Sequence, residues 1–479
     1  MRPNIIFILT DQMRGDCLSV LDHPVVDTPY LDQLARTGTL FTRAYASCPS
    51  CIAARASIFT GLTPSGHGRL GYRDEIPWEY DDMLPEVLSR AGYQTHCVGK
   101  THFYPQRKHC GFDSLESYEG LQGLTGGFVN DYHEWLREKT GRPMADTEHG
   151  LNNNAAFTAR PSPLPEELHN NTWVVTRGLE FIRRRDPTRP FFLNLSFHRP
   201  HPPIDPPQAF YDMYADRPLP ELPMGDWAHA HDVPVNQTDS YHGRAPKRQI
   251  DNARRAYYAQ IAHIDAQLGR LLLALRVLKP GPTAFVFTSD HGEMLGDHLM
   301  YRKTYAYEGS ARVPMIVNLP REMEPMPGRT IESPSVLEDI YPTVLDIAGV
   351  PVPGRTEGKS LAPWCLGDDP DDWYSYVHGE HSACYDEAEA MQFLTDGREK
   401  YIWFTVTGHE QLFDIASDPD ERIDRAKDPA WHNRLATWRR RLIDRLAPRE
   451  QDGLTDGREL KSGVKLPPVR PGTATLNDS

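Results

Sequence analysis

Four short, nearly continuous apolar runs punctuate the chain: NIIFILT from Asn4, YQTHCVG from Tyr93, PFFLNLSF from Pro190 and TAFVFTS from Thr283. Runs of this length with few polar positions predict strands buried on both faces, and hence a parallel sheet covered by helices. Between them the apolar period lengthens to three or four. TPYLDQLARTG has Pro29 in a first turn and Gly38 as a stop, and the stretch from Asp251 to Leu278 repeats apolar side chains at Tyr258, Ile261, Ile264, Leu268, Leu271 and Leu275. These are helical patterns, the second the clearest in the chain. The predicted class is α/β, with a large, mostly parallel central sheet flanked by helices.

After residue 365 the pattern changes. GDDPDD is a turn-rich acidic linker, and MQFLTDGREKYIWFTVTGHEQLFDI reads as antiparallel strands joined by DG and TG turns. A helix from about Ala430 to Leu446 follows, and its Arg439, Arg440 and Arg441 read as a solvated face. The expected division is a core α/β domain over 1–365, a smaller antiparallel-sheet α+β subdomain over 366–455, and a tail over 456–479 that either packs on a neighbour or is disordered.

Each predicted parallel strand runs into polar residues: Asp11-Gln12, Lys100-Thr101-His102, His198-Arg199-Pro200-His201 and Asp290-His291-Gly292. Ligands of open parallel sheets bind beyond the carboxyl ends of the strands, so these four clusters are expected to converge on one site.

Length, charge and cysteines narrow the partners. A chain of 479 residues exceeds the roughly 250–300 residues of a single core, which favours two domains. The formal net charge of −14 repels polyanions, and no Lys/Arg block is interleaved with aromatics, which argues against a nucleic-acid partner. The opening MRPNIIFILTDQ carries an apolar run of about five residues, too short for a signal sequence or a span, so a cytoplasmic protein with no membrane partner is expected. Seven cysteines, an odd number, suit a reducing compartment rather than a disulfide framework.

The most informative segment is CPSCIAARASIFTG, Cys48 to Gly61. A helix over Ala53 to Phe59, beginning two residues after Cys51, would put Cys51 where free N–H groups favour an anion, which is a nucleophile's position. A redox pair with Cys48 and a plain buried thiol are the competing readings. A zinc site would need a second Cys or His pair at ligand spacing, and none is present.

Cys51, Ala53, Arg55, Ser57 and Thr60-Gly61 resemble the sulfatase signature C-x-(P/A)-x-R-x-S-x-x-T-G. The four strand-end clusters and Lys303 fall in that family's order, and KYIWF…EQLFDI resembles its C-terminal subdomain. The resemblance implies hydrolysis of a small-molecule or saccharide sulfate ester. It implies that a maturation enzyme converts Cys51 to formylglycine, whose hydrate is a geminal diol. Asp11, Gln12, Asp290 and His291, with one hydroxyl from position 51, would hold a divalent metal; calcium is the family's usual ion, with magnesium or manganese as alternatives. Arg55 would steady the diol, while Lys100, His102 and Lys303 would contact the sulfate oxygens or protonate the leaving group. His102 is the first choice of base, and either His198 or His201 completes the set. His109, His263 and His298 are expected to be structural.

The pattern departs from the family's at three positions, the first bearing on maturation and the other two on substrate. Ala53 replaces the usual proline, His291 stands where many sulfatases have asparagine, and Gln12 replaces an aspartate. The latter two resemble the branch of choline sulfatases and phosphonate monoester hydrolases, which keeps a phosphonate monoester or phosphodiester as an alternative substrate. A non-catalytic anion-binding relative on the same fold is a reading of a different class; the completeness of the residue set argues against it. Tyr72 and Arg73 are expected to line the substrate pocket, with Arg73 favouring a second anionic group; a loop tyrosine and a surface arginine is the alternative. The tail and C-terminal subdomain are compatible with a homo-oligomer.

Overall fold

The computed structural model describes residues 2–120, 128–141, 151–152 and 154–471. Thirteen strands are found among them. β1 (Asn4–Asp11), β2 (Thr39–Tyr45), β3 (Gln94–Gly99), β4 (Ser114–Ser117), β5 (Phe191–Pro200), β6 (Thr283–Ser289), β7 (Arg312–Asn318), β8 (Arg329–Ile331) and β9 (Ser335–Val336) form one nine-stranded sheet. Its order is β4-β3-β5-β1-β6-β7-β2-β8, with β9 pairing β2. The five strands from β4 to β6 run parallel, and β7 is antiparallel to both its neighbours. All four expected parallel strands are therefore present, adjacent in space and central.

Burial on both faces follows from the period of two in β1. Ile5, Phe7 and Leu9 enter one core with the helices Cys51–Thr60 and Ile340–Ala348, while Ile6 and Ile8 enter the other with Asn170–Arg184 and Lys247–Leu278. The first expected helix spans Pro29–Thr37 and stops at Gly38; the long one begins four residues earlier than expected, at Lys247.

β10 (Val377–His381), β11 (Met391–Thr395), β12 (Lys400–Phe404) and β13 (Glu410–Phe413) form a separate antiparallel sheet, covered by the helix His432–Leu446. This sheet shares a core with the main body: Phe393, Ile402 and Phe413 pack with Tyr45, Met294 and Tyr305. At its first strand, Glu380 N–H donates to the Ser47 carbonyl at 2.7 Å and Ser382 N–H to that of Leu70 at 2.7 Å. These bonds place the strand's end beside the segment that leads into and out of the Cys51 helix.

The tail departs from expectation, since its described part packs on its own chain. Leu460, Val464 and Leu466 close the apolar face under the C-terminal helix, Val469 bridges Arg69, and Arg470 Nη1 donates to the Ser65 carbonyl at 2.9 Å. Its scattered apolar residues explain this. Among the described residues no helix is long and apolar enough to cross a membrane.

Candidate active site

The carboxyl ends of β1, β3, β5 and β6 deliver their polar residues to one place. Asp11 ends β1, Lys100 follows β3, His198 lies near the end of β5 with His201 just beyond, and Asp290-His291 follows β6. Gly99 allows β3 to reach so close: its φ is +112°, and a Cβ there would lie 1.8 Å from the Ser196 carbonyl oxygen. His102 also adopts a left-handed conformation, φ 59°. Glu119 holds it there, accepting from Thr101 N–H at 2.7 Å, the Thr101 hydroxyl at 2.6 Å and His102 N–H at 3.1 Å.

The helix starts at Cys51 itself rather than two residues later, running Cys51–Thr60 with Ser50 as the preceding cap. Cys51 is thus the first helical residue, where the helix's leading N–H groups favour an anion. All seven cysteines are free. Cys51 is 1% exposed. Its Sγ lies 3.1 Å from His291 Nε2, 3.8 Å from Asp11 Oδ1 and 4.0 Å from Lys100 Nζ, and it is hydrogen-bonded to His102. Burial and the Asp11 carboxylate oppose ionisation of the thiol, yet Lys100, Lys303 and His291 hold it well below the usual thiol range. The position stabilises an anion.

Arg55, one turn along the helix, is fully buried and acts as a strut. Its Nε donates to Asp290 Oδ2 at 2.9 Å, its Nη1 to the Lys100 carbonyl at 2.6 Å and Ser196 Oγ at 3.0 Å, and its Nη2 to Asp11 Oδ2 at 3.5 Å. Lys100 Nζ pairs with Asp11 Oδ2 at 2.5 Å.

Asp11, Cys51, Asp290 and His291 present one ligand atom each within 4.8 Å of one another, all buried. Their chemistry fits a divalent cation. His291 Nδ1–H donates to the Gly292 carbonyl at 2.8 Å, which leaves the Nε2 lone pair facing the cluster. Burial pushes both carboxylates up; Lys100 brings Asp11 well below the usual range, while Asp290, beside the Asp11 charge, is pushed up to about 6. Gln12, expected among the ligands, is differently engaged: Oε1 accepts from Lys303 Nζ at 2.9 Å, the side-chain amide donates to Glu293, and only its backbone N–H meets Asp290, at 3.2 Å.

The two histidines of HRPHPP present opposite tautomers. His198 Nδ1 accepts from Arg199 Nη1 at 2.6 Å, so its proton lies on Nε2. His201 Nδ1–H donates to the Pro202 carbonyl at 2.8 Å, and its Nε2 accepts from Lys303 Nζ at 2.8 Å. Both are held neutral by burial, aided by Lys100 and Arg199 at His198 and by Lys303 and Lys100 at His201.

A cavity of about 200 Å³ opens over Cys51, lined by Lys100, His102, His198, His201 and Lys303, and by Tyr72. Arg73 is not on it; it is exposed on an adjoining cavity with Asp74, Glu75 and Trp78. The cavity's rim instead includes Asn154, Arg302, Cys384 and Tyr385, none singled out in the sequence. Arg302 alone had a local signal, standing beside Lys303; Cys384 and Tyr385 come from the C-terminal sheet's first loop. His263 is buried among Asn171, Thr172 and Gln267, and His298 Nδ1 accepts from Gly225 N–H, so both lie away from the cavity over Cys51.

The Sulfatase family model matches residues 3–350. This chain belongs to the sulfatase family. A second model, the C-terminal region of N-sulphoglucosamine sulphohydrolase, matches residues 296–447. This sulfatase is 41% identical to an arylsulfatase of Clostridium perfringens (strain 13 / Type A) over 97% of this chain and 98% of that protein. It is 30% identical to a choline-sulfatase of Rhizobium meliloti (strain 1021) over 89% of this chain and 83% of that one. Among solved structures, the phosphonate monoester hydrolase of Agrobacterium radiobacter is similar with a TM-score of 0.79 at 27% identity, over 93% of this chain and 96% of that one. The expected α/β class and the sulfatase resemblance are thus borne out, and the chain is an enzyme of the sulfuric ester hydrolase type.

Proposed function

We propose that this sulfatase hydrolyses sulfate esters in the cavity over Cys51, with residue 51 acting as formylglycine. The observation that carries this is the position of Cys51: first residue of a buried helix, touching Asp11 and His291 on one side and Lys100 and His102 on the other. As a hydrated formylglycine, residue 51 would supply one hydroxyl to take the sulfuryl group and a second whose deprotonation expels sulfate by C–O cleavage. Asp11, Asp290 and His291, with residue 51, would hold one divalent cation, which would offset the charge of ester and nucleophile; calcium, magnesium and manganese all suit the mainly oxygen donor set. Gln12 joins them if its Oε1 leaves Lys303.

The remaining roles fall to groups already in place. Arg55 fixes the two carboxylates. Lys100 and Lys303 face the nonbridging oxygens. His198 offers an Nε2 proton to the departing alcohol, and His102, bonded to residue 51, receives the proton of the second hydroxyl. Because Cys51 is 1% exposed, a formylglycine-generating enzyme must act before the chain folds.

The likeness to a phosphonate monoester hydrolase supports a second reading, a phosphonate monoester or phosphodiester in the same cavity. Rates on an aryl sulfate and on an aryl phosphonate, measured side by side on matured protein with Cys51→Ala as blank, separate them. A Cys51-dependent preference for the sulfate is expected; preference for the phosphorus ester would overturn the first reading in favour of the second.

A further inference from the structure

The charges around the cavity do not balance, and the residue that unbalances them is Arg302. Lys100 pairs with Asp11 and, with Lys303, faces the ester's own sulfate. The acidic side chain of Glu119 turns its oxygens to the backbone N–H groups of Thr101 and His102. Lys303 is held by the neutral partners Gln12 and His201, leaving its charge for one anion, the ester's own sulfate. Arg302 is then surplus: among the described residues no carboxylate pairs with its guanidinium, whose only hydrogen bond is a long one, 3.4 Å from Nη1 to the Asp239 carbonyl.

Its placement is nonetheless fixed. Its backbone, at φ 73°, is held by Glu293 Oε1, which accepts from Arg302 N–H at 2.5 Å, and by Met294 N–H, which donates to its carbonyl at 2.9 Å. The guanidinium lies 4.6 Å from the ring centroid of Tyr385, whose stacking on Tyr241 at 5.1 Å backs the ring. A half-buried arginine stacked on an aromatic keeps its in-plane N–H groups for bidentate binding of a planar or tetrahedral anion.

We propose that Arg302 selects sulfate esters whose alcohol part carries a second anionic group, a carboxylate or another sulfate. The inference rests on the sulfatase reading of the cavity and assigns to Arg302 the part that sequence proximity suggested for Arg73. The second anion pairs with a guanidinium already desolvated on one face, so the pairing is worth more than a surface ion pair.

The test compares matured wild type, Arg302→Gln and Arg302→Lys on two aryl sulfates of matched leaving-group acidity, one bearing a ring carboxylate and one neutral. The ratio of kcat/KM, carboxylated over neutral, is expected to fall about tenfold or more in Arg302→Gln, to fall less in Arg302→Lys, and to stay unchanged in Arg73→Ala. Because both esters are read on the same protein, partial misfolding cancels from the ratio. An unchanged ratio in Arg302→Gln overturns the proposal. A binding arm separates this from failure of the sulfatase reading. In Cys51→Ala, which cannot turn over, a carboxylated arylsulfonate should bind more tightly than the unsubstituted one only while Arg302 is present. Equal binding of the two with Arg302 in place would also overturn the proposal, whatever the esters' rates.

Discussion

The floor and the rim of the cavity are built on opposite principles. The floor comes from four adjacent strand ends and one helix start, is buried, and nearly every polar group on it is engaged: Arg55 with Asp11 and Asp290, Lys100 with Asp11, and Lys303 hydrogen-bonded to His201 and Gln12. The rim comes from loops far apart in the chain, is more open to solvent, and leaves Arg302 without a carboxylate. A fully satisfied floor can be held rigid for a reaction that every substrate shares, while an unsatisfied rim charge discriminates between substrates. The C-terminal sheet links the two, docking through Glu380 and Ser382 beside the floor while its first loop carries Cys384 and Tyr385 to the rim.

The largest effect should come from the centre of the floor. Cys51→Ala is expected to lower turnover of every sulfate ester by about a thousandfold or more, since no other group lining the cavity can replace the proposed nucleophile; steady-state rates on several esters check this, and a loss confined to one ester would break the division of labour. Next, Arg55→Ala leaves two buried carboxylates facing each other without their strut, and should cost about 3–5 kcal/mol in denaturant unfolding. If the proposed cation site is occupied, a chelator should abolish turnover and lower Tm, and adding calcium, magnesium or manganese back should restore both.

A smaller effect concerns the link between floor and rim. Glu380 is buried against Arg449, at 2.8 Å from Nη1 to Oε1. Burial opposes its ionisation, but Arg449 outweighs this and holds the carboxyl down to about 2. A depressed carboxyl contributes stability above its unfolded value and loses it as pH falls, so this pair's contribution, about 3 kcal/mol, should drain away between about pH 4.5 and pH 2. Unfolding free energies measured across that range should fall less steeply in Glu380→Gln. The smallest effect is the tenfold change of substrate ratio at Arg302, which alters the rim and spares the floor.

The floor was legible in the sequence because buried parallel strands concentrate apolar residues, so the first polar residues after each run are those the fold brings together. Asp11, Lys100, His198, His201, Asp290 and His291 all announced themselves this way. β2 and β7 were less legible for identifiable reasons. A bulge between Phe41 and Ala44 breaks the alternation of β2 around Thr42 and Arg43, and Pro314 interrupts the apolar run of β7, a residue that usually argues against a central strand. The rim left little trace. Cys384 and Tyr385 reach it by tertiary packing alone, more than 300 positions from Cys51 in the chain, and nearness in sequence favoured Arg73 over Arg302. Gln12 shows the same limit: its neighbour Asp11 fixes where it stands, but only the fold brings Lys303 and Glu293 to its amide.

The most direct measurement is the turnover rate per molecule against the fraction of residue 51 present as formylglycine, read by peptide mass spectrometry on preparations matured to different extents. A line through the origin is predicted, with none of the rate carried by chains that retain Cys51. Equal rates for converted and unconverted chains would contradict the account, because the thiol would then be the nucleophile or residue 51 would not be one.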